Sequence, residues 1–195
     1  MPHARLRFFV TSLMPILAAG CLGGAMRFYT LSSNASAPLA PHHLRIGLGP
    51  VGVPAYLEPP ALATRVDANR LQYASLDRWA SPLSAQVTRA LAQDLGASGT
   101  ILVVQYPWYP STSIDVVVRV TLLAFESDAS GVAHLDAEWS VLEPRTGVVR
   151  KSDRTTLTEP ADGRTSEAAV AALSRALAEL ARRISDALPA ARSAS

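Results

Sequence analysis

Apolar and polar positions divide the chain into a short apolar leader, a stretch without period, and a long region where strand and helix periods alternate. Phe8 to Ala19 (FFVTSLMPILAA) is an apolar run of about a dozen residues, the length of a signal-peptide core. It is too short for a comfortable transmembrane helix, which needs about 20 apolar residues. Ser32 to Ala40 (SSNASAPLA) is small, polar and Pro-containing, as linkers are. Met26 to Leu31 (MRFYTL) interrupts this stretch with apolar residues. That hexapeptide reads either as plain linker or as a segment that docks on its own domain or on a partner.

From Leu44 onward the pattern predicts a folded domain. Leu44–Val51, Ala61–Asp67 and Leu71–Ala74 read as strands, the last two joined by a turn at Asp67-Ala68-Asn69-Arg70. Leu83, Val87, Ala90, Leu91 and Leu95 recur at helical spacing. Ser81 is the expected cap of that helix, Pro82 its first-turn proline and Gly96 its left-handed stop. Ile101–Gln105 predicts a short strand. Ile114–Phe125 is apolar on both faces, which predicts a central strand covered on both sides. Val132–Leu142 alternates cleanly, with Ala133, Leu135, Ala137, Trp139 and Val141 on one face. Turns at Glu126–Gly131 and at Pro144–Gly147 make these two strands and Val148–Leu157 an antiparallel meander. Val170, Leu173, Leu177, Leu180, Ile184 and Leu188 form one stripe of a closing helix over Arg164–Leu188. The expected fold is α/β: a compact sandwich with a mixed, largely antiparallel sheet and two main helices, behind a signal peptide and a flexible tether.

The leader changes how composition is read. Its apolar run ends in Ala18-Ala19-Gly20, directly before Cys21, and Arg5 and Arg7 precede it. Small residues followed by cysteine resemble the bacterial lipobox, although Ala18 stands where Leu is usual and Leu17 lies one step earlier. Cys21 is the only cysteine of the 195 residues, so no intrachain disulfide can form. A lone thiol is a liability in an oxidising compartment; lipidation of Cys21 removes it. One acyl chain anchors only marginally, whereas the three that a lipobox implies would make release negligible. Leu22 stands where an Asp would signal inner-membrane retention, which favours the outer membrane and its periplasmic face. The expected division is residues 1–20 as signal peptide, 21–43 as lipid-anchored tether and 44–190 as the domain. A coil of that tether's length would average roughly 25 Å end to end. The full chain holds 18 Lys+Arg against 16 Asp+Glu. Losing Arg5 and Arg7 with the leader leaves the mature chain balanced, so its charge is no nucleic-acid signal.

Candidate chemistry is sparse. Gly47-Leu48-Gly49-Pro50-Val51-Gly52 formally matches GxGxxG, but Pro54, Pro59 and Pro60 prevent the helix that a dinucleotide site needs. His42 and His43 lie at the linker edge and His134 on an expected solvent face, with no HExxH motif or cysteine cluster for a metal. No GxSxG turn is present, and Asp136 and Glu138 read as an ordinary acidic strand face. The sequence therefore predicts no enzyme, no metal and no cofactor. Two clusters stand out. Asp77, Arg78 and Trp79 precede the first helix, and Tyr106, Trp108 and Tyr109 share one Pro-stiffened loop. Aromatics are preferred interface anchors. Both clusters are candidate partner-binding residues or an opening for an acyl chain; alternatively, Trp79 and Trp108 simply cover the ends of the core.

Several pieces occur together in one order behind the lipobox: Tyr29-Thr30-Leu31, Gly49-Pro50-Val51, Val53-Pro54-Ala55-Tyr56-Leu57, Thr64-Arg65 with Asn69 and Leu71, Leu76-Asp77-Arg78-Trp79-Ala80 with Pro82-Leu83, Arg89-Ala90-Leu91, Asp94-Leu95, Pro107-Trp108, and Leu135, Ala137 and Trp139. In these the chain resembles the PqiC-type family, auxiliary lipoproteins of ABC-type and MCE-type intermembrane transport systems. It departs from that pattern at Glu58-Pro59-Pro60. The resemblance implies a part in moving lipids or other hydrophobic molecules across the envelope. The implied partners are an MCE-domain protein with its permease and ATPase, with self-association into a homo-oligomer as a further expectation. A stand-alone envelope lipoprotein with a lipid-binding or structural role is the competing class.

Overall fold

The computed structural model describes residues 24–33, 44–97, 99–109 and 111–193. Cys21, the expected signal peptide and most of the expected tether lie outside them. The described elements are β1 (Arg27–Tyr29), β2 (Leu44–Leu48), a 3₁₀ turn (Ala55–Leu57), β3 (Ala61–Asp67), β4 (Arg70–Trp79), α1 (Leu83–Gly96), β5 (Ile101–Gln105), β6 (Val116–Asp128), β7 (Val132–Leu142), β8 (Val149–Pro160) and α2 (Ser166–Ser193). They form two layers: one eight-stranded sheet and two helices packed together across it.

The sheet is organised around β6. One edge of β6 pairs antiparallel with β7 along most of its length, and β7 pairs antiparallel with β8. Two parallel branches leave the other edge. Strand β2 pairs at Val116–Val118 and carries β5 outside it. Strand β3 pairs at Ser127–Asp128 and carries β4 and then β1. The sheet is thus mixed, with its longest ladders antiparallel, as the sequence predicts.

The helix-facing side of the sheet and the apolar stripes of both helices make one core. All five expected positions of α1 are buried, and so are all six of α2. Burying the six large side chains of α2 contributes roughly 1.5–3 kcal/mol each before entropy costs. Thr165 accepts the Ala168 amide at 3.2 Å and caps α2, and Glu167 lies in its first turn, where the helix dipole favours an acid.

The helix ends of α1 differ from expectation. Ser81 does not cap it; Pro82 occupies the cap position without a side-chain bond, and the Ser81 carbonyl accepts Gln86 Nε2 at 3.0 Å. Gly96 is the last helical residue and is not left-handed; the positive φ comes at Gly99. Strand β2 stops at Leu48 rather than Val51, since Pro50 has no amide for a ladder. Strand β4 runs on past the expected Ala74 to Trp79, so Asp77-Arg78-Trp79, just before the first helix, is itself strand.

Strand β6 is central in pairing but not covered on both faces. Val116, Val118, Val120 and Leu122 face the core, while Arg119 and Thr121 on the reverse side are exposed. A register shift between Leu122 and Ala124 then exchanges the faces, so Phe125 takes the core side and Glu126 the reverse. Glu126 is not a turn residue: it is 1% exposed within the strand. It accepts Arg65 Nε and the Tyr56 hydroxyl, each at 2.7 Å.

Candidate functional site

The first site is the seam that fastens residues 27–33 to the domain. The sheet and its packing begin at Arg27, not at Leu44, and take in part of the stretch expected as tether. Arg27 donates to both carboxylate oxygens of Asp77, Nε to Oδ1 at 2.6 Å and Nη2 to Oδ2 at 2.9 Å. This planar fork is the strong form of an ion pair. Ser166 at the head of α2 donates to Asp77 Oδ2 at 2.6 Å, and the Tyr29 hydroxyl donates to Glu167 at 2.8 Å. Beyond the strand, the Leu31 amide donates to Gln86 at 3.0 Å and Arg89 donates to the Leu31 carbonyl at 2.7 Å. The Ser32 amide reaches Ser174 at 3.2 Å, and Leu31 itself is 1% exposed. One short segment is thereby bonded to β4, α1 and α2.

The charges at this seam respond to pH. The Arg27 guanidinium holds the Asp77 carboxyl below its ordinary range; burial works against this, and the Ser166 hydroxyl adds to it. Burial, and then the hydrogen bond to Glu167, pushes the Tyr29 hydroxyl up to about 12. A lowered acid contributes stability that is present above its unfolded value, near 3.9, and is lost as pH falls through the folded value. A raised phenol contributes stability present below its unfolded value, near 10, and lost as pH rises beyond it. Asp77→Asn should therefore melt below the wild type at pH 7, and the gap should close as pH falls below about 4. A gap that stays constant down to pH 2 would show that the carboxylate charge is not what fastens the segment.

Beside the seam, a cleft of about 290 Å³ opens between the head of α2, the β3–β4 pair and the β6–β7 turn. Leu57, Leu62, Trp79, Phe125 and Leu173 make its apolar floor, and Asp128, Arg164 and Thr165 lie on its lining. Asp128 is tied to its own turn by Ser130, the Val132 amide and His134, 2.9 Å away. Burial opposes ionisation of that carboxyl, but these bonds outweigh it and hold it far below the usual range.

The second aromatic cluster is elsewhere. Tyr106 follows β5 with its amide on the Leu48 carbonyl at 2.9 Å, and the Tyr106–Pro107 bond is cis. Tyr106 and Trp108 meet edge to face, with ring centroids 5.3 Å apart. Trp108 lies over Gly47: a Cβ there would come within 3.2 Å of Trp108 Cη2 and 3.0 Å of Ile114 Cδ1. Gly47 thus serves close packing on the sheet's reverse face, not a phosphate. Tyr106 and Tyr109 project outward, 59% and 78% exposed.

The six singled-out residues do not form one surface. Trp79 is 5% exposed inside the core and Asp77 6% exposed within the seam, whereas Trp108 covers the opposite face of the sheet. Arg78 is half-buried and donates to the Ser75 carbonyl at 3.3 Å. Among the described residues no group of three or more His, Cys, Asp or Glu side chains could hold a metal, and no helix is long and apolar enough to cross a membrane. Sequence reasoning missed Arg27, Tyr29 and Ser166 as partners of Asp77. The only signal was the apolar interruption at Met26–Leu31.

The model of the ABC-type transport auxiliary lipoprotein component matches residues 29–185, from the end of β1 to the last turns of α2. The chain belongs to this family. Membership agrees with the PqiC-type resemblance and makes the protein a transport-associated lipoprotein; the family is not one of enzymes. Two crystal structures share the auxiliary-component fold at a TM-score of 0.71 and 18% identity. One, of an uncharacterized protein, covers 85% of this chain and 99% of its own. The other, a Xanthomonas campestris protein assigned to DUF330, covers 86% and 98%. At that identity the likeness is one of fold. Among curated proteins, none matches the sequence.

Proposed function

We propose that the protein is lipidated at Cys21 and works on the periplasmic face of the outer membrane. There it docks the MCE-domain conduit of an intermembrane lipid transport system, which brings a permease and an ATPase with it. Membership of the auxiliary-component family carries this reading. Burial favours one of the two candidate clusters for that contact. Asp77 and Trp79 are buried, so they act by holding the fold, and the accessible candidates are Tyr106 and Tyr109 with Trp108 as their base. Tyr106 packs edge to face on Trp108, and Tyr109 stands beside them in the same loop, so these aromatics offer exposed anchors of the kind interfaces prefer.

The test is capture of the MCE-domain partner from membranes by the lipidated protein. A Tyr106→Ala, Tyr109→Ala double variant should lose at least about tenfold in capture, the effect of removing ~1.4 kcal/mol, while its stability falls by no more than the lost Tyr106–Trp108 pair, about 1 kcal/mol. Undiminished capture would remove the aromatic loop from the interface. The cleft floored by Trp79 and Phe125 supports a second reading, direct binding of lipid by a stand-alone protein. Lipid recovered by mass spectrometry from purified Cys21→Ser protein, together with no partner capture by the wild type, would favour it.

A further inference from the structure

The seam shortens the distance between the domain and its anchor. Gly24, the first residue described, is three positions after Cys21, and β1 begins at Arg27, six positions after it. A chain spans at most about 3.6 Å per residue, so Gly24 lies within roughly 11 Å of Cys21 and Arg27 within roughly 22 Å. The polar layer of one leaflet is itself about 5–8 Å thick. With Cys21 acylated, the reading on which this inference rests, the β1 edge cannot leave the membrane surface.

That edge has two unlike faces. Arg27 and Tyr29 turn toward Asp77 and the head of α2. Phe28 therefore points to the reverse face, where its register partner is Arg78 and where Leu76, two positions before Arg78, also points. Phe28 is 64% exposed, Met26 60% and Leu76 38%. Leu76 reaches back over Gly24, its Cδ1 only 2.7 Å from where a Cβ would stand, so the apolar surface runs on toward the anchor. Scattered exposed apolar residues need no explanation, but these lie on or beside one edge strand and its neighbour, few positions from the anchor. Strand β1 pairs with β4 alone among the described strands, and an edge carrying Met and Phe is an aggregation hazard in water. A lipid surface removes the hazard. The cation on this face, Arg78, suits the phosphates of lipid headgroups, to which long basic side chains extend while their stems stay on apolar surface.

We propose that Met26, Phe28 and Leu76, flanked by Arg78, are a membrane-seating patch that sets the orientation of the anchored domain. Phe28 and Met26 enter the interfacial layer, Arg78 contacts lipid phosphate, and the domain stands on its β1 edge instead of tumbling on a long tether.

The test uses the lipidated full-length protein in vesicles of equal parts phosphatidylethanolamine and phosphatidylglycerol. Acylated Cys21 has no free thiol, so Phe28→Cys and, separately, Met26→Cys each offer one site for an environment-sensitive NBD dye. Thr156→Cys, on an exposed position of β8, is the reference. Reconstitution should raise NBD emission several-fold at 28 and 26, shift it to the blue and make it quenchable by nitroxide-labelled lipid, with little change at 156. Protein that floats with the vesicles while the dye at both positions reports water overturns the patch and leaves the anchor standing. A rise that requires added MCE-domain protein also overturns it, in favour of a protein contact. Protein that fails to float, with Cys21 itself taking the dye, overturns the anchor and the patch with it.

Discussion

Trp79→Ala is expected to cost about 3–5 kcal/mol, the range for removing a buried tryptophan. In a domain of this size each kcal/mol moves the thermal midpoint by about 2–4 °C, so calorimetry should find it lowered by roughly 10 °C. Burial places Trp79 at this end of the scale: it is 5% exposed, and the main-chain bonds that hold its backbone, its amide 2.6 Å from the Pro60 carbonyl and its register pairing with Tyr29, survive the substitution. The indole also forms part of the cleft floor. Removing it would join the new void to the cleft, which the strands on either side cannot collapse to fill. Trp108→Ala provides the contrast, since it removes a half-buried side chain from a surface loop. Its melting shift should be under half as large. Equal shifts would contradict the assignment of one tryptophan to the core and the other to the surface.

Glu126→Ala is expected to cost about 2–3 kcal/mol, because three donors lose a buried, charged acceptor at once while the half-exposed Arg65 is left to water. Arg65 loses its carboxylate, the Tyr56 hydroxyl loses its acceptor, and the Phe125 amide loses a bond of 2.9 Å. Burial, and then the bond to Glu126, holds the Tyr56 hydroxyl far above the ordinary phenol range, so this phenol stays a donor at any physiological pH. Glu126→Gln keeps an acceptor and should recover part of the loss. Urea denaturation of the two variants measures the difference. A loss below about 1 kcal/mol for the alanine variant, the worth of an exposed pair, would refute a buried network.

These variants mark where local pattern is informative. The stripe of α2 from Val170 to Leu188 and the alternation of β7 from Ala133 to Val141 follow from the 3.6 and 2.0 periods of a helix and a strand against one core. Each position there is decided by its own element, so the sequence predicts it directly. Glu126 obeys a different rule. The register shift near Leu123 moves it to the other face, and Tyr56 and Arg65 come from a 3₁₀ turn and a strand more than sixty positions earlier. Helix ends fail similarly: Ser81 and Gly96 have the right chemistry for a cap and a stop, but Pro82 and Gly99 take the positions that the chain's path requires.

The sequence by itself determined the class of fold, the two helices and their buried faces, the β6–β8 meander and the family. Those depend on periodicity and on residues contiguous in the chain. Only the tertiary structure decided that Arg27–Tyr29 joins the sheet, that Asp77 and Trp79 face inward while Tyr106 and Tyr109 face out, and that Met26, Phe28 and Leu76 share one exposed edge. The reason is range. Three residues are too few to show a strand period, and the parallel partner that makes them a strand lies fifty positions away, where nothing in the local pattern of either segment records the other.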